Sequence, residues 1–375
     1  MMQAQKRSGH SLTEAWIGPE DTAWRTYLEQ SSHDFYHLPG YVALTAKRSD
    51  AKPIAYIAQA GDASLFVPLH LRDLPDDLGA ASGLKDAVSP YGYPTPLLMA
   101  GEGERAAHGA ELLSAFVEAA RAAGIVTIFL RLHPYLTLPE AALRAAGTLI
   151  EHGPTVTIDL SRPDKFWTET RNGHRLNIRK LEKAGFEARF DHWDAFDDFI
   201  EIYRLTMKHV KATEDYFFDR SYFQDLRETL GESLHLCTIH APDGQIAAGA
   251  VQTEVDGLVQ GHLAGTHPAF RKRAPATFLI HSIRQWAAEQ GYRWYHLGGG
   301  LGASKDSLFA FKTGFTKGRR AFRSLRIIVD PKRNAELNRT WTTRHAPDAS
   351  LEDQTSGSFF PAYRRRPDPV ISTAA

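Results

Sequence analysis

The chain reads as a mixed α/β protein of the α+β kind, built from two tandem domains that each carry a largely antiparallel sheet flanked by helices. Three observations predict this. Strand-like and helix-like patterns alternate along the sequence, the second half repeats the order of the first, and 375 residues exceed one average domain. Hydrophobic residues at 43% and charged residues at 23% suit a chain that fills complete cores.

In the first half, residues 54–60 and 64–71 are strand-like runs separated by the turn pair Gly61-Asp62. Over 104–123, Leu112, Leu113, Phe116, Val117 and Ala120 recur at helical spacing, and Gly124 stops the pattern. The apolar run 125–132 predicts a buried strand, followed by a short helix at 138–146 and a strand at 155–160. The second half opens with one basic helix over 163–184, closed by Gly185. Residues 194–210 carry the stripe Phe196, Phe199, Ile200, Tyr203, Met207 and Val210. Strands follow at 234–240, 246–255 and 257–264, with Asp243-Gly244 and Asp256-Gly257 as hairpin turns. A helix over 275–290 buries Leu279, Ile283, Trp286 and Ala287; then come a strand at 292–297, a glycine loop, a helix at 305–313 and a strand at 321–329. This predicts domains at 12–162 and 163–344, with 345–375, rich in Pro, Ser and Asp, as a flexible tail.

Lysine plus arginine equals aspartate plus glutamate at 44 each, so no global field draws a polyanion and any such contact needs a local patch. The single cysteine, Cys237, excludes an intramolecular disulfide and suits a reducing compartment. No apolar stretch follows the basic residues of the N-terminus, and no run nears the ~20 apolar residues of a membrane span. The expectation is a cytoplasmic protein. His235, Cys237 and His240 lie close in sequence, but alternation splits them between two sheet faces and no second cluster completes a set of ligands, so no metal is expected.

The most informative stretch is 295–315, YHLGGGLGASKDSLFAFKTGF. Strand, glycine loop and helix N-terminus in that order can cradle a phosphate. A Walker loop is excluded because Ala303 stands where its second glycine belongs and Lys305 precedes Asp306 rather than Ser or Thr. Gly298, Gly300 and Ala303 match G-x-G-x-x-A, but no βαβ unit with its later carboxylate follows.

H-L-G-G-G at 296–300 followed by D-S-L-F-x-F-K-x-x-F at 306–315 resembles the late block of FemABX-like proteins. DFYHLPGY at 34–41, SPYGYPTP at 89–96, R-x-x-x-R-x-N-I-R-K at 171–180 and H-L-A-G-T at 262–266 fall in the order that family shows. The resemblance spans both halves, from about residue 34 to 315. It implies two GNAT-like domains and transfer of an acyl or aminoacyl group to an amine, without a tightly bound cofactor. The donor is aminoacyl-tRNA in characterised members and acyl-CoA in others of the wider superfamily. The acceptor is an amine of a small metabolite or a cell-wall (peptidoglycan) precursor. No long helical arm interrupts 200–320, so a compact FemX-like form is expected.

One stretch bears on the donor. Arg271-Lys272-Arg273-Ala274-Pro275-Ala276 stands where GNAT enzymes grip the CoA pyrophosphate, yet alanine replaces glycine and Pro275 has no N–H. Pro275 is equally well explained as a helix N1 proline. The poor cradle favours aminoacyl-tRNA, with an acyl-CoA enzyme as alternative and a non-catalytic binding protein on the same scaffold as a second. A tRNA contact has candidates in Lys165, Arg171, His174, Arg175, Arg179, Lys180 and Lys183, and in Arg271, Lys272, Arg273, Lys317, Arg319 and Arg320. The same charges also read as solvated faces balanced by Glu169 and Glu182.

Aminolysis needs a neutral amine, a stabilised oxyanion and a proton for the leaving group. By resemblance Lys312 is the leading catalytic residue; the alternative is a snorkelling surface lysine. Asp306 is either a base or a helix-capping acid, with Ser304 as the expected N-cap. His262 and His296, beside glycine-rich turns, can accept a proton near neutral pH or serve structure alone. The resemblance further assigns Asp86, Tyr91, Tyr93, Arg175 and Arg179 to the acceptor cleft, with Gly298, Gly299, Gly300 and Ser307 as substrate contacts in the late block.

Overall fold

The computed structural model of the chain describes residues 3–7, 10–79, 83–346 and 359–365. It divides into two compact units, one of Met1–Ser31, Thr45–Ile150 and Arg323–Ala375, the other of Ser32–Leu44 and Glu151–Phe322. Each is a mixed sheet flanked by helices, as the sequence pattern predicts.

In the first unit the strands His10–Ile17, Lys52–Ala60 and Ala63–Asp73 form an antiparallel meander. Gly61 (φ 59) makes the tight turn between the last two. Lys85–Val88 continues the sheet and pairs in parallel with Ile125–Leu132, the crossover being the helix Arg105–Ala122. That helix turns Leu112, Leu113, Phe116 and Ala120 onto a core with Tyr56, Leu65, Ile128 and Leu130. The sheet closes with residues 323–328, antiparallel to 127–132.

The second unit repeats the scheme. Glu187–Phe190, Leu234–His240, Ile246–Val255 and Leu258–Thr266 run antiparallel, and Leu258–Thr266 then pairs in parallel with Trp294–Gly298 across the helix Ala276–Glu289. Residues 156–159 close this sheet antiparallel to 294–298. The core holds Ile178, Cys237, Ala250, Val259, Leu279, Ile283, Tyr295 and Phe315.

Several expectations need correction. The strand that follows each parallel pair along the chain starts in one unit and ends in the other, Thr148–Asp159 in the second and Arg319–Ile328 in the first, so the units do not divide at 162/163. The motif 34–41 belongs to the second unit although it lies early in the sequence. The basic helix is two helices, Pro163–Glu169 and Asn172–Lys183. Thr170 takes an extended backbone (ψ 128) and the Arg171 N–H leaves the helix for the Gly314 carbonyl at 2.8 Å. On Phe196–His209 the buried residues are Phe196, Phe199, Ile202 and Tyr203, whereas Val210 is exposed. Within the expected tail, residues 359–365 are packed. Tyr363 is buried with Leu74, Leu78, Val126 and Leu337 and shares a hydrogen bond with Thr127 Oγ1 at 2.7 Å. Residues 347–358 and 366–375 lie outside the described residues.

Candidate active site

The glycine loop and the FKTGF segment place a lysine in the second unit. Gly298 ends its strand in the left-handed region (φ 71), and the chain turns again through Gly302 (φ 56) and Ala303 (φ 64). The helix that follows is shorter than expected, Ser307–Lys312, and its N-cap is Asp306 rather than Ser304. The Asp306 carboxylate accepts from Phe309 N at 2.8 Å and Leu301 N at 3.0 Å, and these bonds hold its pKa below the usual range. A Cβ on Gly300 would lie 2.2 Å from Ser304 O and 2.4 Å from Asp306 Oδ1, so only glycine fits. The amides of Leu301, Ala303 and Ser304 are all spent inside the loop, on Asp306, Gly300 and Leu301. The loop and its capping carboxylate mount Lys312. Ser307, the first helical residue, faces solvent.

Lys312 Nζ donates to the Gly299 carbonyl at 2.7 Å, and burial pulls its pKa down to about 8, opposed by the charge of Asp306. Phe311 and Phe315, on either side of Lys312 in sequence, pack against His174 at ring distances of 5.2 and 4.5 Å. Neither His174 ring nitrogen has a hydrogen-bond partner, and burial, with Arg171 and Arg284 nearby, brings its pKa down to about 4. A surface lysine at the end of an exposed helix would show neither the short bond nor the shift.

Strands Leu258–Thr266 and Trp294–Gly298 pair only over 258–260 and 294–296. Past that point each follows a different neighbour, residues 248–253 for one and 156 for the other, so the two edges part. His262 is the extra residue of a bulge there, since Gln252 pairs with Gly261 and Val251 with Leu263. Its ring lies against Phe35 and Tyr41 at 5.4 and 6.3 Å, its Nε2 is buried without a partner, and burial takes its pKa down to about 4. It is therefore neutral at physiological pH and a weak proton acceptor, contrary to the expectation of a base poised near neutrality. His296 is buried, with Nδ1 2.7 Å from Gln260 Oε1, which makes Nδ1 the donor and leaves Nε2 the lone pair.

No sequence signal marks Gln252, buried at the bulge with both amide atoms unpartnered among the described residues, or Arg284. Arg284 is wholly buried, donates to Thr170 Oγ1 at 2.8 Å and stacks on Phe166; burial lowers its pKa to about 10. A buried arginine in a helix, or glutamine in a strand, reads in sequence like an exposed one.

The 271–276 loop precedes the helix Ala276–Glu289, with Pro275 at its cap. Ala274 is left-handed (φ 50), its amide bonds Arg271 O at 3.0 Å, and its carbonyl accepts from Asn177 Nδ2 at 3.0 Å. On the split helix, Arg171, Arg179, Lys180 and Lys183 are exposed, and none has a carboxylate in bonding distance among the described residues. Glu169, the expected counter-charge, is engaged by Thr316 Oγ1 and Lys317 N instead. Arg175 donates to Trp167 O at 3.3 Å, and Arg179 lies over the Trp167 ring at 4.9 Å.

Three candidates belong to the first unit. Asp86 is fully buried and held by Arg72 Nε at 2.8 Å and by Arg364 Nε, so both carboxylate oxygens are occupied within its own unit. Tyr91 is 50% exposed, and Tyr93 meets His133 edge-on at 6.4 Å. Among the described residues no group of three His, Cys, Asp or Glu could hold a metal ion, and no helix is long and apolar enough to cross a membrane. Cys237 lies in the core with its thiol pKa pushed well up by burial.

Residues 168–312 match the profile of the acetyltransferase (GNAT) domain family. No curated protein matches the chain. Among solved structures the chain is similar to FemX at 16% identity and TM-score 0.58, over 82% of this chain and 96% of that one. It is also similar to L-PGS from Bacillus licheniformis, at 14% identity and TM-score 0.52 over 84% and 93% of the two chains. A conserved protein of unknown function from Bacteroides thetaiotaomicron aligns at 13% identity and TM-score 0.54, over 87% and 100%. The fold is thus GNAT-like, and the acetyltransferase match is confined to residues 168–312. The matched residues include the helix Asn172–Lys183, the parting strands and Lys312.

Proposed function

We propose that the chain forms a peptide-type bond, moving an aminoacyl group from aminoacyl-tRNA to the amine of a small metabolite or peptidoglycan precursor. The observation that carries this is Lys312, a desolvated ammonium fixed on the Gly299 carbonyl at the end of a short, capped helix. In the reaction a neutral amine nitrogen attacks the ester carbonyl, a C–N bond forms, and the C–O bond to the terminal ribose breaks. The amine gives up a proton and the departing ribose oxygen gains one. A lysine with a pKa of about 8 is mostly protonated at neutral pH, yet releases its proton more readily than a solvated lysine. It suits both stabilising the tetrahedral oxyanion and protonating the leaving oxygen.

The choice of donor rests on the 271–276 loop, which offers no run of free amides to a pyrophosphate, and on the exposed cations of the split helix. The test is binding of purified protein to charged bulk tRNA and to acetyl-CoA, side by side at low and physiological salt. Salt-sensitive tRNA binding, followed by transfer that Lys312→Met abolishes, is the expected result. Saturable acetyl-CoA binding without tRNA binding would make this an acyl-CoA enzyme.

A further inference from the structure

A groove of about 520 Å³ runs along the second unit between the split helix and the helix Ala276–Glu289. Its lining includes Trp167, Arg179, Glu182, His281, Gln285 and Glu289. Nothing in the mechanism above uses it. Its polar groups are nevertheless set with care.

Arg284 Nε and Nη2 both approach His281 Nδ1, at 3.1 and 2.8 Å. A guanidinium only donates, so Nδ1 accepts and the single imidazole proton sits on Nε2. His281 is 5% exposed and lines the groove, which therefore receives a fixed N–H donor. Burial and the Arg284 charge bring its pKa down to about 4, so the ring stays neutral in this tautomer under ordinary conditions. Arg284 has no carboxylate within ion-pair distance among the described residues, a costly state for a buried cation unless it holds something in place. Beside His281, with ring centroids 5.9 Å apart, the Trp167 ring backs the Arg179 guanidinium at 4.9 Å. Arg179 is exposed, and its outer face is open to a second flat group.

We infer that this groove takes an unpaired nucleobase of the RNA donor, stacked on the Arg179–Trp167 pair and read at its edge by His281, Gln285 and the two glutamates. A base offers a ring nitrogen or carbonyl to the His281 N–H, and an exocyclic amino group to Glu182 or Glu289. Arginine planes and aromatic rings are the usual platforms for splayed-out bases. Lys180 and Lys183, exposed on the same helix as Arg179, supply charge for the flanking phosphates. The glutamates disfavour a phosphate in the groove itself, which leaves the base as the fitting group. The inference rests on the aminoacyl-tRNA reading above.

The test measures binding of bulk tRNA, of a short RNA duplex without unpaired bases, and of acetyl-CoA by the full chain. Trp167→Leu removes the platform and Gln285→Ala an exposed edge contact, and urea titration checks that each variant is folded. Expected is a loss of about tenfold in tRNA affinity for Trp167→Leu and a few-fold loss for Gln285→Ala. The salt slope and duplex binding should not change, whereas Lys180→Ala should lower the slope by about one. A folded Trp167→Leu that binds tRNA within twofold of the native chain overturns the inference and leaves the donor reading standing. So does an equal loss for tRNA and duplex. A native chain that binds acetyl-CoA but no tRNA overturns both.

Discussion

Replacing Lys312 by methionine should make the protein more stable while it destroys activity. The folded pKa of about 8 against an ordinary 10.5 means that the protein holds this ammonium at a cost. At about 1.4 kcal/mol per unit the difference comes to roughly 3 kcal/mol at neutral pH. The side chain keeps some contact with solvent, which trims that figure, and the hydrogen bond to Gly299 O returns about 1 kcal/mol. Methionine fills similar space without charge, so Lys312→Met should gain about 1 to 2 kcal/mol at pH 7.

The gain has a pH signature. Because the folded pKa is depressed, the unfolded chain binds more protons between about pH 8 and 10.5, and native stability rises with pH across that window. The variant lacks this rise, so its advantage should shrink above pH 8 and vanish near pH 10.5. Other groups titrate in both proteins and cancel in the difference. Urea midpoints for both chains at pH 7, 8.5 and 10 measure it. A variant less stable at pH 7, or an advantage unchanged at pH 10, would refute the claim that Lys312 is a desolvated cation.

Three further outcomes follow from the same structure. His174→Leu should flatten the acid limb: a folded pKa of about 4 against 6.5 costs the native chain about 2 kcal/mol between pH 7.5 and 5, seen as a midpoint shift that the variant lacks. Arg364→Ala leaves the buried Asp86 with Arg72 alone and should cost about 2 to 4 kcal/mol, while Tyr363→Phe, losing only the Thr127 bond, costs about 1; equal effects in a thermal melt would contradict the pairing. Gly300→Ala drives a methyl into Ser304 O and the Asp306 carboxylate, so it should release the helix cap and cut transfer at least tenfold, with circular dichroism unchanged.

Much of the scaffold was legible because it rests on local pattern. The strand 125–132 agrees at both ends with Ile125–Leu132, and the crossover helices differ from expectation by a residue or so at each end. Elements whose burial comes from distant partners were not legible, among them Glu187–Phe190, a short edge strand. The break at Thr170 is a tertiary effect, since the Arg171 N–H trades a helical partner for Gly314 O. For the site, the late block pointed to Lys312 and to Asp306 as a possible cap. It could not reveal that His262 sits on a bulge against residues of the 34–41 segment, because a bulge depends on cross-strand register. The exchange of the closing strands was hidden for the same reason.

The two units differ in how they compensate buried charge. The first unit's fully buried Asp86 is met by two arginines and needs nothing more. Among the described residues the second keeps Arg284 and Lys312 desolvated without a carboxylate in bonding distance, together with unpartnered buried polar atoms on His174, His262 and Gln252. Each such group costs on the order of 1 to 3 kcal/mol, and apolar residues of similar size would be more stable in their place. A chain shaped for folding alone would not gather several of them in the 145 residues that match the acetyltransferase profile. Lys312 and the bulge at His262 both lie in that span, as do Trp167's neighbours Arg179 and His281, whereas the acidic pairing of Asp86 lies outside it. That cost supports the proposal that the second unit carries the chemistry, whereas Asp86, paired with Arg364, holds residues 359–365.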